Sequence, residues 1–323
     1  MLTRLSHLPS FFSGYWITMR PYLLFISGIT GMCGLSYSAS LPFFSEFLLF
    51  AVFFFSYGFG QALTDCFQMD TDSVSSPYRP LVRGTLRKKD VMVVSLLGLA
   101  ACGIILGMFS FANLLLAFLC VVGLSTYTYF KKRWWGGPWY NSWIVVLVFL
   151  MGFQSGSTLS FDQYRLEFYC TIITVFFGYA NFVLTGYFKD VEADRSTGYH
   201  TLVVEYGRKI SSNVSNVFAL LFTVSGIVSV ILILKGRSID ISSVAAITLL
   251  IVAVYFSWYS QYKLRQIKDD HQAYIAILPC IHSYITMLVS ITIVNKPSWM
   301  IFLLIYYALY FLTIKLRPER SQI

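Results

Sequence analysis

Ten apolar stretches, each about as long as a bilayer core is thick, dominate this chain. They run approximately 21–40, 43–63, 91–110, 112–130, 139–157, 167–187, 213–234, 242–260, 273–294 and 298–315. In hydrocarbon every backbone polar group must find its partner inside the segment, so such stretches can only be helices or closed barrels. Stretches of this length are too long for barrel strands. The chain is therefore expected to be all-α, a polytopic membrane bundle of nine or ten transmembrane helices around a central cavity. Two of the connections, at 110–112 and 294–298, are very short, which is why the lower count stays open. Its 57% hydrophobic content and mean hydropathy of +0.66 agree with the membrane class.

The net charge of +9 would suit a nucleic-acid partner if the basic residues formed one patch. Instead they occupy the short gaps between apolar stretches. With ten spans and a cytoplasmic N-terminus, twenty of the 24 Lys and Arg fall on the inside. The outside loops keep Arg165, Lys235, Arg237 and Lys296. This is the positive-inside pattern. Residues 1–20 read as an amphipathic segment, with Trp16 and several Phe, lying on the membrane surface. No cleavable leader is evident. The six cysteines are scattered without CxxC spacing, so they read as small core residues, not as a zinc site or a disulfide framework.

Six of the fifteen acidic residues sit in two short clusters. Carboxylates beside hydrocarbon cost roughly 2.5–3.5 kcal/mol each on insertion scales, so their concentration calls for a compensating cation. The first cluster is Thr64-Asp65-Cys66-Phe67-Gln68-Met69-Asp70-Thr71-Asp72; the second is Lys189-Asp190-Val191-Glu192-Ala193-Asp194-Arg195. They follow spans two and six, both on the cytoplasmic side. Helical spacing puts Asp65, Gln68 and Asp72 on one face at the end of one helix, and Asp190 and Asp194 on one face of another. Asp70 and Glu192 would lie off those faces. Mg²⁺ suits such carboxylates because it keeps several waters and is shared with substrate phosphates. Two facing pairs offer places for two or three such ions around a diphosphate. Arg79, Lys131, Lys132, Lys189 and Arg195 would complete the clamp. The similar setting of the clusters suggests two pseudo-repeated four-helix halves, about 21–130 and 139–260, plus C-terminal helices. Surface ion pairing, an ion-coupled carrier and a metal–diphosphate site all remain open at this point.

The residues around the clusters narrow the choice. The first cluster, followed by Ser76-Pro77-Tyr78-Arg79-Pro80-Leu81-Val82-Arg83-Gly84, resembles the first signature of the UbiA-type intramembrane prenyltransferases, NDxxDxxxD with a PYRP-like segment. The second, with Gly198, Thr201-Leu202 and Gly207, resembles their DxxxD signature and its tail. Tyr127, Lys131-Lys132-Arg133 and Asn141 resemble the segment between. The resemblance implies one membrane domain over 21–317 that binds a prenyl diphosphate through Mg²⁺, ionises it and passes the allylic cation to an acceptor, often aromatic. It implies Asp65, Asp72, Asp190 and Asp194 as catalytic metal–diphosphate ligands. Arg79, Lys131, Lys189, Gln68 and Tyr127 would be diphosphate-binding. Thr64 and Gln68 stand where the family usually has Asn and Asp. That departure leaves a membrane terpene cyclase, working without an acceptor, as the alternative, with a carrier third. His200 is a candidate base.

Overall fold

The computed structural model describes residues 8–157 and 165–315. Residues 1–7, 158–164 and 316–317 of the expected segments lie outside them. Among the described residues the chain is helical without strands. The helices are α1 (Leu8–Met19), α2 (Leu24–Leu35, entered through a 3-10 turn at Pro21–Leu23), α3 (Phe43–Asp65), α4 (Met69–Ser75), α5 (Lys88–Phe109), α6 (Phe111–Lys131) and α7 (Gly137–Gly156). Then come α8 (Leu166–Tyr187), α9 (Val191–Ser196), α10 (Leu202–Leu234), α11 (Ile241–Leu264), α12 (Tyr274–Asn295) and α13 (Met300–Lys315).

Each of the ten apolar stretches corresponds to a helix. Among the described residues eight helices are both long and apolar enough to cross a membrane, so the expected nine or ten is slightly high by that measure. The two that fall short are α2, only 12 residues long, and α7, which carries Asn141, Ser142 and Gln154 in its 20 residues. The largest boundary differences have local causes. The first stretch ends early because a polar run, Ser36–Ser40, separates Leu35 from Pro42 at the start of α3. The seventh starts early because helix continues back to Leu202 through a break at Gly207, whose φ of 76° a side chain would strain. Glu205, Arg208 and Lys209 make that segment too charged to belong to an apolar stretch.

Neighbouring helices touch in chain order, α2 to α3, α5, α6, α7, α8, α10, α11 and α12, and α12 returns to α2. Among the described residues nine helices thus close a ring, which α2 also crosses by packing on α7. The tenth, α13, packs outside it against α12 and the start of α2. The most buried member is α12, which also contacts α8 and α10. Its small hydroxyls satisfy neighbouring backbone: Ser283 donates to the Ala253 carbonyl at 2.9 Å and Ser290 to that of Ala246 at 2.7 Å. Such bonds hold helices together where lipid offers no hydrophobic drive. All six cysteines are buried and unpaired.

α1 packs across the end of α3. Tyr15 and Met19 are buried with Ala62, Cys66, Leu81 and Leu86, whereas Phe12 and Trp16 remain exposed. Gly58 permits this approach, since a Cβ there would collide with Met19 and meet Leu24 at 2.9 Å.

Candidate active site

Both acidic clusters sit where a long helix breaks. α3 ends at Asp65, the chain turns through Cys66–Phe67, and α4 restarts at Met69 with the Asp72 amide donating to the Gln68 carbonyl at 2.9 Å. α8 ends at Tyr187, and Asp190 precedes α9 at its N-cap position, with the Asp194 amide donating to the Asp190 carbonyl at 2.7 Å. The continuous helical faces expected from spacing are therefore absent. The acids converge instead because the two short helices α4 and α9 touch.

In the first cluster every carboxylate already has a guanidinium or its equivalent. One nitrogen of Arg20 lies 2.8 and 2.9 Å from the two oxygens of Asp65. Gln61 Nε2 donates to Asp65 Oδ1 at 2.7 Å, and Arg79 stands 3.9 Å from the same oxygen. Arg79 makes its close ion pair with Asp72. Its position follows from the chain: the Ser76 amide donates to the Asp72 carbonyl and the Arg79 amide to the Ser76 carbonyl, folding the Pro77–Pro80 segment back over α4. Asp70 is off this group, accepting from the Tyr199 hydroxyl at 3.0 Å with Lys132 3.7 Å away.

The second cluster is built around Lys131. Its ammonium lies 3.4 Å from Asp194 Oδ1 and donates to Gln68 Oε1 at 3.2 Å. The rings of Tyr187 and Tyr199 flank it at 5.6 and 5.4 Å. Asp194 is fully buried, and neither of its oxygens completes a hydrogen bond among the described residues. Burial, with Lys131 opposing and Asp190 adding, pushes the Asp194 carboxyl up to about 6. For Asp190 burial also acts upward, but Lys189, Lys131 and Arg79 outweigh it and hold the carboxyl below its ordinary value. Burial brings the Lys189 ammonium down to about 8, with Asp190 opposing.

These groups form the mouth of a cavity of about 210 Å³. Arg20, Asp65, Gln68, Asp72, Arg79, Tyr127, Lys131, Lys189 and Asp190 line it; Asp194 stands behind Lys131 instead of on the wall. Deeper in, the wall becomes apolar and aromatic: Tyr57, Tyr179 and Phe182, then Cys102, Leu106, Ala117, Val148 and Met151. Tyr127 bonds the Tyr187 hydroxyl at 2.8 Å. Four other residues singled out in the sequence lie elsewhere. Lys132 faces Asp70, Arg133 stacks on Tyr129 at 3.7 Å, Arg195 is exposed, and His200 pairs with Glu205 at 3.1 Å.

Sequence reasoning missed Arg20, Gln61 and Tyr199. Arg20 is the single non-glycine residue with positive φ among the described residues, at 53°. That conformation turns the chain from α1 into the Pro21 turn and aims the guanidinium at Asp65. A lone arginine between an aromatic surface segment and a proline was the available signal.

Residues 24–278 match the UbiA prenyltransferase family. Among curated proteins, the digeranylgeranylglyceryl phosphate synthase of Thermococcus kodakarensis is 28% identical over 210 residues, 64% of this chain and 73% of that protein. The Methanococcus vannielii protein of the same name is 27% identical over 167 residues, 51% of this chain and 58% of that one, so less than two thirds of its length is spanned. The solved structure of a UbiA homolog from Archaeoglobus fulgidus bound to GPP and Mg²⁺ superposes with a TM-score of 0.62 at 14% identity, covering 85% of this chain and 99% of that one. The motifs, the fold around them and a match over most of the length agree: the chain belongs to the UbiA prenyltransferase family.

Proposed function

We propose that this protein transfers an isoprenyl group from a prenyl diphosphate to a lipophilic acceptor inside the bilayer, with Mg²⁺ as cofactor and the mouth open to the cytoplasm. The observation that carries this is the cavity's polarity: four basic side chains and three carboxylates at one end, hydrocarbon and aromatic rings beyond. The metal fits the residues present. Among the described residues no three His, Cys, Asp or Glu side chains gather as a cage. A site offering one or two carboxylates to a hydrated ion shared with phosphate is what Mg²⁺ uses. Asp65, Asp72 and Asp190, on the wall, would hold it; Asp194, behind Lys131, would act through that lysine. When bound, Mg²⁺ neutralises charge developing on the leaving diphosphate.

The chain's own residues supply the rest. Arg79, Lys131 and Lys189 attract the diphosphate and stabilise it as the allylic C–O bond breaks and it departs with the bonding pair. Tyr57, Tyr179 and Phe182 exclude water and present ring faces to the cation. The acceptor supplies the electron pair of the new bond and loses a proton. Its class divides two ways. The family resemblance favours an aromatic ring, whereas the relatives named above are digeranylgeranylglyceryl phosphate synthases, which favours an oxygen of a glyceryl phosphate. Depth supports a long chain. Lys131 at the mouth and Ala117 near the floor are fourteen residues apart on α6, about 21 Å of helix. An extended isoprene unit spans roughly 5 Å from its bond lengths, so about four fit.

The test is purified protein in nanodiscs with Mg²⁺, labelled geranyl, farnesyl and geranylgeranyl diphosphates, and both acceptor classes. Diphosphate release with a prenylated product is the expected result. Release with a cyclic hydrocarbon and no acceptor requirement would replace transferase by cyclase, the reading that Gln68 and the aromatic wall also support. Folded protein that releases nothing across the panel sinks both.

A further inference from the structure

Counted from the mouth, the cavity wall ends at Leu106 on α5, Ala117 on α6 and Met151 on α7. α5 and α7 run away from the mouth, and α6 runs back towards it. Asn113, four residues before Ala117, and Ser155, four residues after Met151, therefore stand one helical turn beyond the floor on the same faces. Both are buried, at 0% and 5% exposure. Asn113 Nδ2 donates to the Leu106 carbonyl at 3.1 Å and to Ser155 Oγ at 3.0 Å, and Ser155 Oγ donates to the Met151 carbonyl at 2.7 Å. One side chain thus ties three helices together at the closed end of the apolar part of the cavity. Asn113 Oδ1 has no hydrogen-bond partner among the described residues. Just behind the tie, α5 and α6 are joined through Ser110 alone.

We propose that Asn113 is the specificity-determining stop for the prenyl tail, so that the preferred donor carries four isoprene units and not five. The wall from Lys131 to Ala117 takes about four extended units. A fifth has to enter the turn that holds Asn113. The apolar floor alone does not forbid this, because Met151 is unbranched, has several rotatable bonds and yields to a guest. Asn113 does forbid it. To pass, a tail must part the amide from the Leu106 carbonyl and from Ser155, and hydrocarbon offers that donor no other partner. The helices cannot spread instead, since the Ser110 connection holds α5 to α6. Polarity is what makes the stop firm: two acceptors fix the side chain in one orientation, where a leucine of similar size could turn aside into another rotamer.

This rests on the prenyl-diphosphate reading above, and the experiment separates the two. Full-length protein in nanodiscs with Mg²⁺ is titrated with the thiolodiphosphates of two-, four- and five-unit prenyl chains, which resist ionisation, and Kd is read for each. The wild type is expected to bind the four-unit probe about 10-fold or more tighter than the five-unit one. Asn113→Ala should bring these two to within about two-fold of each other, while the Kd of the two-unit probe, too short to reach the floor, stays unchanged. Ser155→Ala removes one acceptor and should move the ratio the same way by less. Equal affinity for four and five units in the wild type, an unchanged ratio in Asn113→Ala, or a loss shared by all three lengths overturns the inference and leaves the diphosphate reading standing. Folded wild type that binds no probe overturns that reading itself. If Asn113→Ala does not fold, Ser155→Ala decides, and an unchanged ratio there overturns the inference.

Discussion

The two acidic clusters look alike in sequence and are used differently. In the first, Asp65 and Asp72 lie on the cavity wall and are tied by arginines from other parts of the chain, Arg20 and Arg79. Those guanidiniums are partly exposed, at 15% and 14%. In the second, Asp194 is sealed behind a single lysine and only Asp190 reaches the wall. A half-open ion pair can exchange partners when a ligand arrives. A sealed one cannot, because separating it strands a charge away from water. The first cluster is thus the adaptable side of the site and the second its fixed side.

Lys131→Met should have the largest effect. It leaves Asp194 buried and unpaired, worth about 3–5 kcal/mol of stability, and removes a diphosphate contact worth on the order of 10²–10³ in kcat. Thermal unfolding in nanodiscs and single-turnover kinetics measure the two losses. Asp194→Asn should lose as much, and combining both should cost less than the sum, since each alone strands the other's partner. Additive losses would break the fixed-side description.

Arg20→Ala should cost less, about 1.5–3 kcal/mol for a lost charged hydrogen bond, read mainly as a higher KM for the diphosphate. If it matched Lys131→Met in stability loss, the two clusters would not differ as described. Ala117→Phe shortens the cavity floor and should shift preference from geranylgeranyl towards geranyl diphosphate by about 10-fold or more. The ratio of the two kcat/KM values is the measurement, and an unchanged ratio places the prenyl tail elsewhere. The smallest effect belongs to His200→Ala: an exposed pair with Glu205 contributes at most about 1 kcal/mol, and turnover should remain within about two-fold. A collapse of turnover would restore His200 as a base.

Helices were legible because hydrocarbon forces them: α3, α5, α6 and α8 match the apolar stretches to within a few residues. α2 and α7 were legible as apolar, although neither satisfies a length-and-hydropathy rule alone; packing within the ring completes them. The site was legible through residues whose chemistry is unusual beside lipid, Asp65, Asp72, Asp190 and Lys131. Its wiring was not. Spacing placed Asp194 with Asp190 on one face, but that argument needs an unbroken helix, and the chain breaks before each short helix. Arg20 was hidden because its role depends on a left-handed backbone and on Gly58, residues far apart in the chain. Gln68 was recognised as a departure, while its lysine partner 63 residues later emerges only from the packing of the end of α6 beside the α3–α4 turn.

The position of α12 carries a consequence for how the protein is made. This helix is buried along almost its whole length, 94% of its apolar window, and it closes the ring between α11 and α2. Yet all eight other ring helices precede it in the chain. Eight ring helices must wait in the membrane with a groove open to lipid until residues 274–295 are inserted. Closure of the bundle behind the cavity, whose wall takes Ile277 from α12, is therefore a late step in chain order, and a chain stopped before residue 274 keeps that groove open.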